Sequence, residues 1–195
     1  MNEIIISDNS VSRANQERIK QLIMHREFPW YFNDTTLSGY DRNKNDLFQW
    51  VHILQVNAKQ KSTLKEPILK CLRGAIPELE THRLIRAKLN LNTPYKRGNI
   101  ALKHTDCQEK DRIVYIYYVN DSDGPTILYT NKWRPHKVHP KQGRLLKMPS
   151  SLSHSGNLPY HNNTRIVLNL LFQEDLNQTF EPLQDQDYEE YKKNL

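Results

Sequence analysis

Leu84-Ile85-Arg86-Ala87-Lys88-Leu89-Asn90-Leu91 alternates apolar and polar residues. Successive side chains of a strand point to opposite faces, so this run reads as a half-buried β-strand. Downstream, the pattern repeats in short segments. Residues 100–103 lead into His104. Residues 112–119 are dense in β-branched and aromatic residues, and Asn120-Asp121-Ser122-Asp123-Gly124 is a strong turn. Residues 126–130, 134–139, 144–148 and 164–172 are further strand-like runs separated by turn residues. Many short strands at regular spacing predict a sandwich or a double-stranded β-helix of the jelly-roll or cupin-like type. Such a barrel is open at one end, where strand ends can assemble a metal site.

Upstream of residue 84 the signals change. Ile4-Ile5-Ile6 reads as a short strand. A helix follows, with Ser10 or Ser12 as its cap and Ile19, Leu22 and Ile23 at helical spacing. Phe28-Pro29-Trp30-Tyr31-Phe32 reads as a packing hook, with Trp30 and Tyr31 as candidates for a pocket entrance. Residues 33–44 form a polar loop, and 47–56 are strand or loop. Residues 66–76 give the clearest helical pattern, from Ile68, Leu69 and Leu72, with Pro67 near its start and Gly74 weakening its end. The expected fold class is mainly β with N-terminal helices around a double-stranded β-helix core. We divide one domain, 1–195, into a helical and loop N-terminal region (1–83), a jelly-roll core (84–173) and an acidic tail (174–195). The tail, with Tyr188 and Tyr191, reads either as disordered or as a short helix.

Bulk composition excludes several classes. Apolar residues make up 37% of the 195, and no apolar run approaches the ~20 residues a membrane helix needs. The start, Met1-Asn2-Glu3-Ile4-Ile5-Ile6, is acidic and has too short an apolar stretch for a secretory signal. Cys71 and Cys107 cannot build a disulfide framework, so a reducing, cytoplasmic setting is expected. Net charge is +6. Residues 174–195 carry seven acids against Lys192 and Lys193, a net −5, which leaves +11 on the rest. A basic body can attract nucleic acid or an acidic substrate, but no arginine-rich run or nucleic-acid signature accompanies it. A lysine-rich solvated surface is the favoured reading.

The chemistry sits in His104-Thr105-Asp106, His154-Ser155-Gly156 and Arg165. With 8 histidines and 11 aspartates in the chain, about 0.45 His-x-Asp triplets are expected by chance. The triplet therefore gains weight only from order, spacing and strand context. His154 follows His104 by 50 residues, and Arg165 follows His154 by 11. Two imidazoles and one carboxylate can cap one face of Fe(II) and leave the opposite positions open. An arginine one strand later offers a planar fork that matches a carboxylate. His136, His139 and His161 compete with His154, whose Ser-His-Ser-Gly context favours it. Cys107 follows a ligand on a strand and should point away from the metal. His25-Arg26-Glu27 lies in a helical stretch without a partner histidine.

This constellation resembles the Fe(II)- and 2-oxoglutarate-dependent oxygenases, particularly their prolyl 4-hydroxylase-like branch. Lys141-Gln142-Gly143-Arg144-Leu145-Leu146-Lys147-Met148-Pro149-Ser150 followed by His154 looks like that family's strand leading into its distal histidine. Asp123-Gly124-Pro125-Thr126 resembles its turn before a strand that contacts the cosubstrate. The resemblance spans residues 84–172. It implies His104, Asp106 and His154 as iron ligands, and Arg165 as the partner of the distal carboxylate of 2-oxoglutarate. Tyr95 and Thr126 are implied as further donors to that carboxylate, with Tyr115 or Tyr117 as a substitute for Tyr95 and Asn90 in the pocket wall. It also implies O2 as cosubstrate, succinate and CO2 as products, and ascorbate as a candidate accessory reductant. A carboxylate at 106 favours hydroxylation or demethylation over halogenation. A protein side chain such as proline leads as substrate, with small metabolites and nucleobases open. Two other readings stand beside this one: a cupin-like metal-binding module without oxygenase activity, and a nucleic-acid-directed oxygenase. No feature of the sequence sets an oligomeric state.

Overall fold

The strand read from residues 84–91 lies inside the main sheet. It is β5 (His82–Asn92), paired antiparallel with β3 (Gln49–Val56) on one side and β11 (Arg165–Glu174) on the other. The computed structural model describes residues 3–35, 47–95, 102–109, 111–130, 134–161 and 164–174. Beyond β11 the main sheet continues through β6 (Arg112–Tyr118), β9 (Leu145–Pro149) and β1 (Ile5–Ser7). Beyond β3 it ends with β2 (Tyr31–Asn33), and the short β4 (Lys59–Gln60) also pairs with β3. A second sheet has the order β10 (His154–Gly156), β7 (Thr126–Leu128), β8 (His136–Val138). Two antiparallel sheets with few helices form a double-stranded β-helix, as the strand spacing predicts.

Register assigns the faces. Arg165, Val167, Asn169 and Leu171 of β11 lie opposite Asn92, Asn90, Lys88 and Arg86 of β5. On β6, Tyr118, Ile116 and Val114 lie opposite Val167, Asn169 and Leu171. This is the inward face. Its apolar members pack with Leu128 and Val138 of the small sheet. The alternate residues Ile166, Leu168, Leu170 and Phe172, with Ala87, Leu89, Tyr115 and Tyr117, pack on the outer face against the helical region. β11 is therefore apolar on both faces and buried from Arg165 to Phe172. A strand covered on both sides loses the polar alternation of a half-buried one.

The first helix is α1 (Arg13–Ile23). Ser12 caps it by accepting from the Asn15 backbone N–H at 3.3 Å, and Ile19 and Ile23 are buried. The helix read over 66–76 is shorter than its periodicity suggests. Regular α-helix covers α2 (Lys65–Leu69); the Cys71 and Leu72 amides then bond back only three residues, to Ile68 and Leu69. The apolar spacing still does its work, because Ile68, Leu69 and Leu72 are all buried. The turn tightens ahead of Gly74 and Pro77, which disfavour continued helix. A second short helix, α3 (Glu78–Thr81), was not legible in the sequence. Tyr31 and Phe32 are exposed while Phe28 is buried, so the aromatic hook is anchored by Phe28. Residues 100–101, most of the 33–44 loop and the 175–195 tail lie outside the described residues. Among the described residues, no helix is long and apolar enough to cross a membrane.

Candidate active site

His104 and His154 face each other across an isolated antiparallel bridge, with His104 N to His154 O at 2.9 Å and the reciprocal bond at 2.8 Å. Each ring is oriented by its own strand. His104 Nδ1 lies 3.0 Å from the Leu102 carbonyl, and His154 Nδ1 lies 2.9 Å from the Leu152 carbonyl. A carbonyl only accepts, so both Nδ1 atoms carry the proton and both Nε2 lone pairs are left as ligands. Asp106 is held by its amide donating to the Ser150 carbonyl at 3.1 Å. Its Oδ2 lies 3.4 Å from His154 Nε2. The ligand atoms of His104, Asp106 and His154 all lie within 4.8 Å of one another. Two imidazoles and one carboxylate fit a divalent ion such as Fe(II).

The carboxylate is electrostatically prepared. Burial alone would raise the Asp106 pKa, but Arg86, His154, His104 and the Asn169 amide outweigh it and hold the carboxyl below its ordinary range. Arg86 Nη2 donates to Asp106 Oδ1 and, at 3.1 Å, to Asn169 Oδ1; Asn169 Nδ2 donates to Asp106 Oδ2 at 3.2 Å. Burial and the neighbouring His154 push the His104 imidazole down, which keeps it neutral. Cys107 packs against the inward apolar cluster and stands outside this trio. His136, His139 and His161 are exposed.

A second cluster surrounds Arg165. Its side chain is buried and donates from Nε to the Gly124 carbonyl at 2.9 Å, from Nη2 to Thr126 Oγ1 at 2.8 Å, and from Nη1 to Asn92 Oδ1 at 3.4 Å. Tyr118 donates its hydroxyl to Thr126 Oγ1 at 2.7 Å. Gly156 allows this packing, since a Cβ there would sit 3.3 Å from Arg165 Nη1. Among the described residues, no carboxylate pairs with this guanidinium. A buried cation without a counter-ion is costly, and two of its five N–H groups have no protein acceptor. Such a guanidinium can receive an anion.

No protein-family model matches the sequence and no curated protein matches it. Solved structures do match in fold. One is a 2OG-Fe(II) oxygenase family oxidoreductase from Burkholderia pseudomallei, 13% identical, TM-score 0.68, covering 88% of this chain and 85% of that one. Another is a prolyl hydroxylase from Trichoplax adhaerens in complex with a hypoxia inducible factor oxygen degradation domain peptide fragment, 15% identical, TM-score 0.63, covering 89% and 84%. A third is HygX from Streptomyces hygroscopicus with nickel and 2-oxoglutarate bound, 10% identical, TM-score 0.55, covering 92% and 86%. The fold is that of the 2-oxoglutarate- and Fe(II)-dependent oxygenases.

Within this oxygenase fold the structure brings together His104, Asp106 and His154, and separately Arg165 and Thr126. Tyr95 does not join the second cluster: its side chain is 40% exposed and only its backbone is tied in, to the Pro159 carbonyl. Tyr115 and Tyr117 face outward, and Tyr115 donates to Glu78 at 2.6 Å. The tyrosine hydroxyl that reaches Thr126 is that of Tyr118. Asn92 reaches Arg165, whereas the buried Oδ1 of Asn90 has no partner among the described residues. Tyr118, Asn92, Asn169 and Arg86 were missed in the sequence. Once Arg165 is placed inward, register selects all four. The sequence alone leaves parity open, because β6 is apolar on both faces.

Proposed function

We propose that the protein is an Fe(II)- and 2-oxoglutarate-dependent dioxygenase, most simply a hydroxylase. The observation that carries this reading is the buried Arg165, paired with no carboxylate among the described residues, inside the same barrel as the His104, Asp106 and His154 trio. A metal-binding module without oxygenase activity has no use for that cation. His104, Asp106 and His154 would hold Fe(II), and Arg165, with Thr126 and Tyr118, would receive the distal carboxylate of 2-oxoglutarate. When bound, Fe(II), 2-oxoglutarate and O2 supply oxidative decarboxylation to succinate and CO2, coupled to oxidation of a substrate C–H bond.

The chain's own residues do the positioning. Arg86 and Asn169 hold Asp106 ionised and oriented. The Leu102 and Leu152 carbonyls fix the imidazole tautomers. Tyr118 is pushed up by burial, partly opposed by Arg165, and so remains a hydroxyl donor. The inward apolar residues Val167, Ile116 and Leu128 exclude water. A peptide or protein side chain such as proline, or a small molecule, is the substrate class; the peptide seen with the Trichoplax enzyme supports the first.

Succinate formation from 2-oxoglutarate with Fe(II), ascorbate and O2 tests the reaction class. Slow turnover is expected from the wild type and none from a His104→Ala/Asp106→Ala control. Binding separates the roles: His154→Ala should weaken Mn(II) binding at least tenfold. Arg165→Ala should raise the Kd for 2-oxoglutarate about tenfold or more, roughly the loss of one charge-assisted hydrogen bond, and largely spare the metal. Metal binding indifferent to 2-oxoglutarate in the wild type would sink the oxygenase reading.

A further inference from the structure

The inward face of β5 carries one cation that neither cluster uses. Lys88 sits two residues from Arg86 and two from Asn90, opposite Asn169 on β11 and Ile53 on β3. Asn169 donates to Asp106, so Lys88 occupies the row of the barrel that contains the metal-binding carboxylate. Lys88 is partly buried, and its ammonium has no hydrogen bond or ion pair among the described residues. Ile53, beside it, is 40% exposed, so this row opens to solvent on the β3 flank.

The other inward cations are accounted for. Arg86 is engaged with Asp106 and Asn169, Arg112 with Glu109, and Arg165 with its own anchor site. The inward positions named on β3, β5, β6 and β11 carry no acidic side chain, so Asp106 is opposed by Arg86, Lys88 and Arg165. Fe(II) and 2-oxoglutarate carry equal and opposite charge, so loading the site does not remove the positive excess. A lysine ammonium held in a partly dry wall without a counter-ion is a receptor for an anion.

Resting on the oxygenase reading, we infer that Lys88 receives a carboxylate of the prime substrate, which makes that substrate a carboxylic acid: a free small acid or an acidic side chain of a peptide. One unpaired ammonium matches one negative charge, which favours a carboxylate over a phosphate dianion. Lys88 is a binding residue here and takes no part in holding the metal.

The test is affinity selection under nitrogen on the full chain loaded with Mn(II) and saturating 2-oxoglutarate. Two pools are offered: small carboxylic acids with their primary amides, and hexapeptides with Asp, Glu, Asn, Gln or phosphoserine at a central position. Mn(II) and 2-oxoglutarate binding are measured on the same samples. The wild type should retain acids over their matched amides by tenfold or more. Lys88→Met should lose that preference and Lys88→Arg should keep it, both with Mn(II) and 2-oxoglutarate affinity within a few-fold of wild type. Retention of small acids or of acidic peptides identifies the source, and either supports the inference. Equal retention of acids and amides, an unchanged preference in Lys88→Met, preference for phosphoserine, or no retention at all overturns it. A wild type that binds neither Mn(II) nor 2-oxoglutarate overturns the oxygenase reading itself, which is a distinct result.

Discussion

At the scale of single residues, the site is organised by cations placed where an ordinary core would carry none. Burial and the neighbouring Arg86 push the Lys88 ammonium down to about 8, with Asp106 opposing them. A cation whose folded pKa lies below its unfolded value costs stability while charged. The unfolded chain binds more protons between about 8 and 10.5, so the cost fades as pH rises through that window. Lys88→Met should therefore stabilise the protein at pH 7 by about 1 kcal/mol, after allowance for partial exposure. The gain should shrink towards pH 10.5. Urea denaturation of both proteins from pH 7 to 10.5 measures this; a gain independent of pH would show that the ammonium is well solvated. Tyr118→Phe removes the hydroxyl behind Thr126 and should raise the Kd for 2-oxoglutarate about five- to tenfold, the value of one net hydrogen bond. Tyr95→Phe should leave it unchanged. Titration of the Mn(II)-loaded variants distinguishes the two tyrosines.

At the scale of elements, short strands depend on side-chain ties at their ends. β1 pairs only with β9, over three residues. The turn after it is held by Asp8, which accepts from Arg144 Nε at 2.7 Å, Arg144 Nη2 at 2.9 Å and Lys141 Nζ at 3.1 Å. Arg144, against the opposing effect of burial and with Lys141 helping, lowers the Asp8 pKa to about 2. A carboxylate depressed in the folded state stabilises above its unfolded pKa of roughly 3.9 and loses that contribution as pH falls through the folded value. Arg144→Met should cost about 1 kcal/mol at pH 7, since the pair is partly solvated. The variant should also lose less stability than wild type between pH 4 and 2. Parallel acid titrations by circular dichroism check both. Parallel curves of wild type and variant would remove Asp8 from the acid response.

At the scale of the whole molecule, the proposed metal and cosubstrate sites bear on stability, because both lie in one barrel. His104 and Asp106 lie on the segment before β6, His154 on β10 and Arg165 on β11, so loading the site ties the two sheets together. A ligand at a hundredfold its Kd stabilises the folded state by about 2.7 kcal/mol. For a chain of this size, Mn(II) with 2-oxoglutarate should raise Tm by roughly 5–10 °C. A chelator should reverse the shift, and the His154→Ala variant, which binds metal at least tenfold more weakly, should show about half of it or less. Differential scanning calorimetry reads all three, and an equal shift in the variant would move the metal elsewhere.

Sequence alone was enough for the β-rich class, the strand at 84–91, a helix cap at Ser10 or Ser12 and the order His-x-Asp, His, Arg. These follow from local alternation, capping chemistry and spacing, which need no partner strand. It did not determine which face of a doubly buried strand looks inward, because Tyr115, Tyr117 and Tyr118 are all buried. Only the pairing of β11 with β5 and β6 decides that, since a register shift of one residue exchanges the two faces of a strand. The same pairing makes Arg86 and Lys88 wall residues of the barrel, and its register, which sets Arg165 opposite Asn92, decides that Asn92 rather than Asn90 reaches Arg165. The length of the helix after residue 64 was likewise a tertiary outcome: packing needed the apolar spacing of Ile68, Leu69 and Leu72, and a tightened turn supplied it as well as a full helix would.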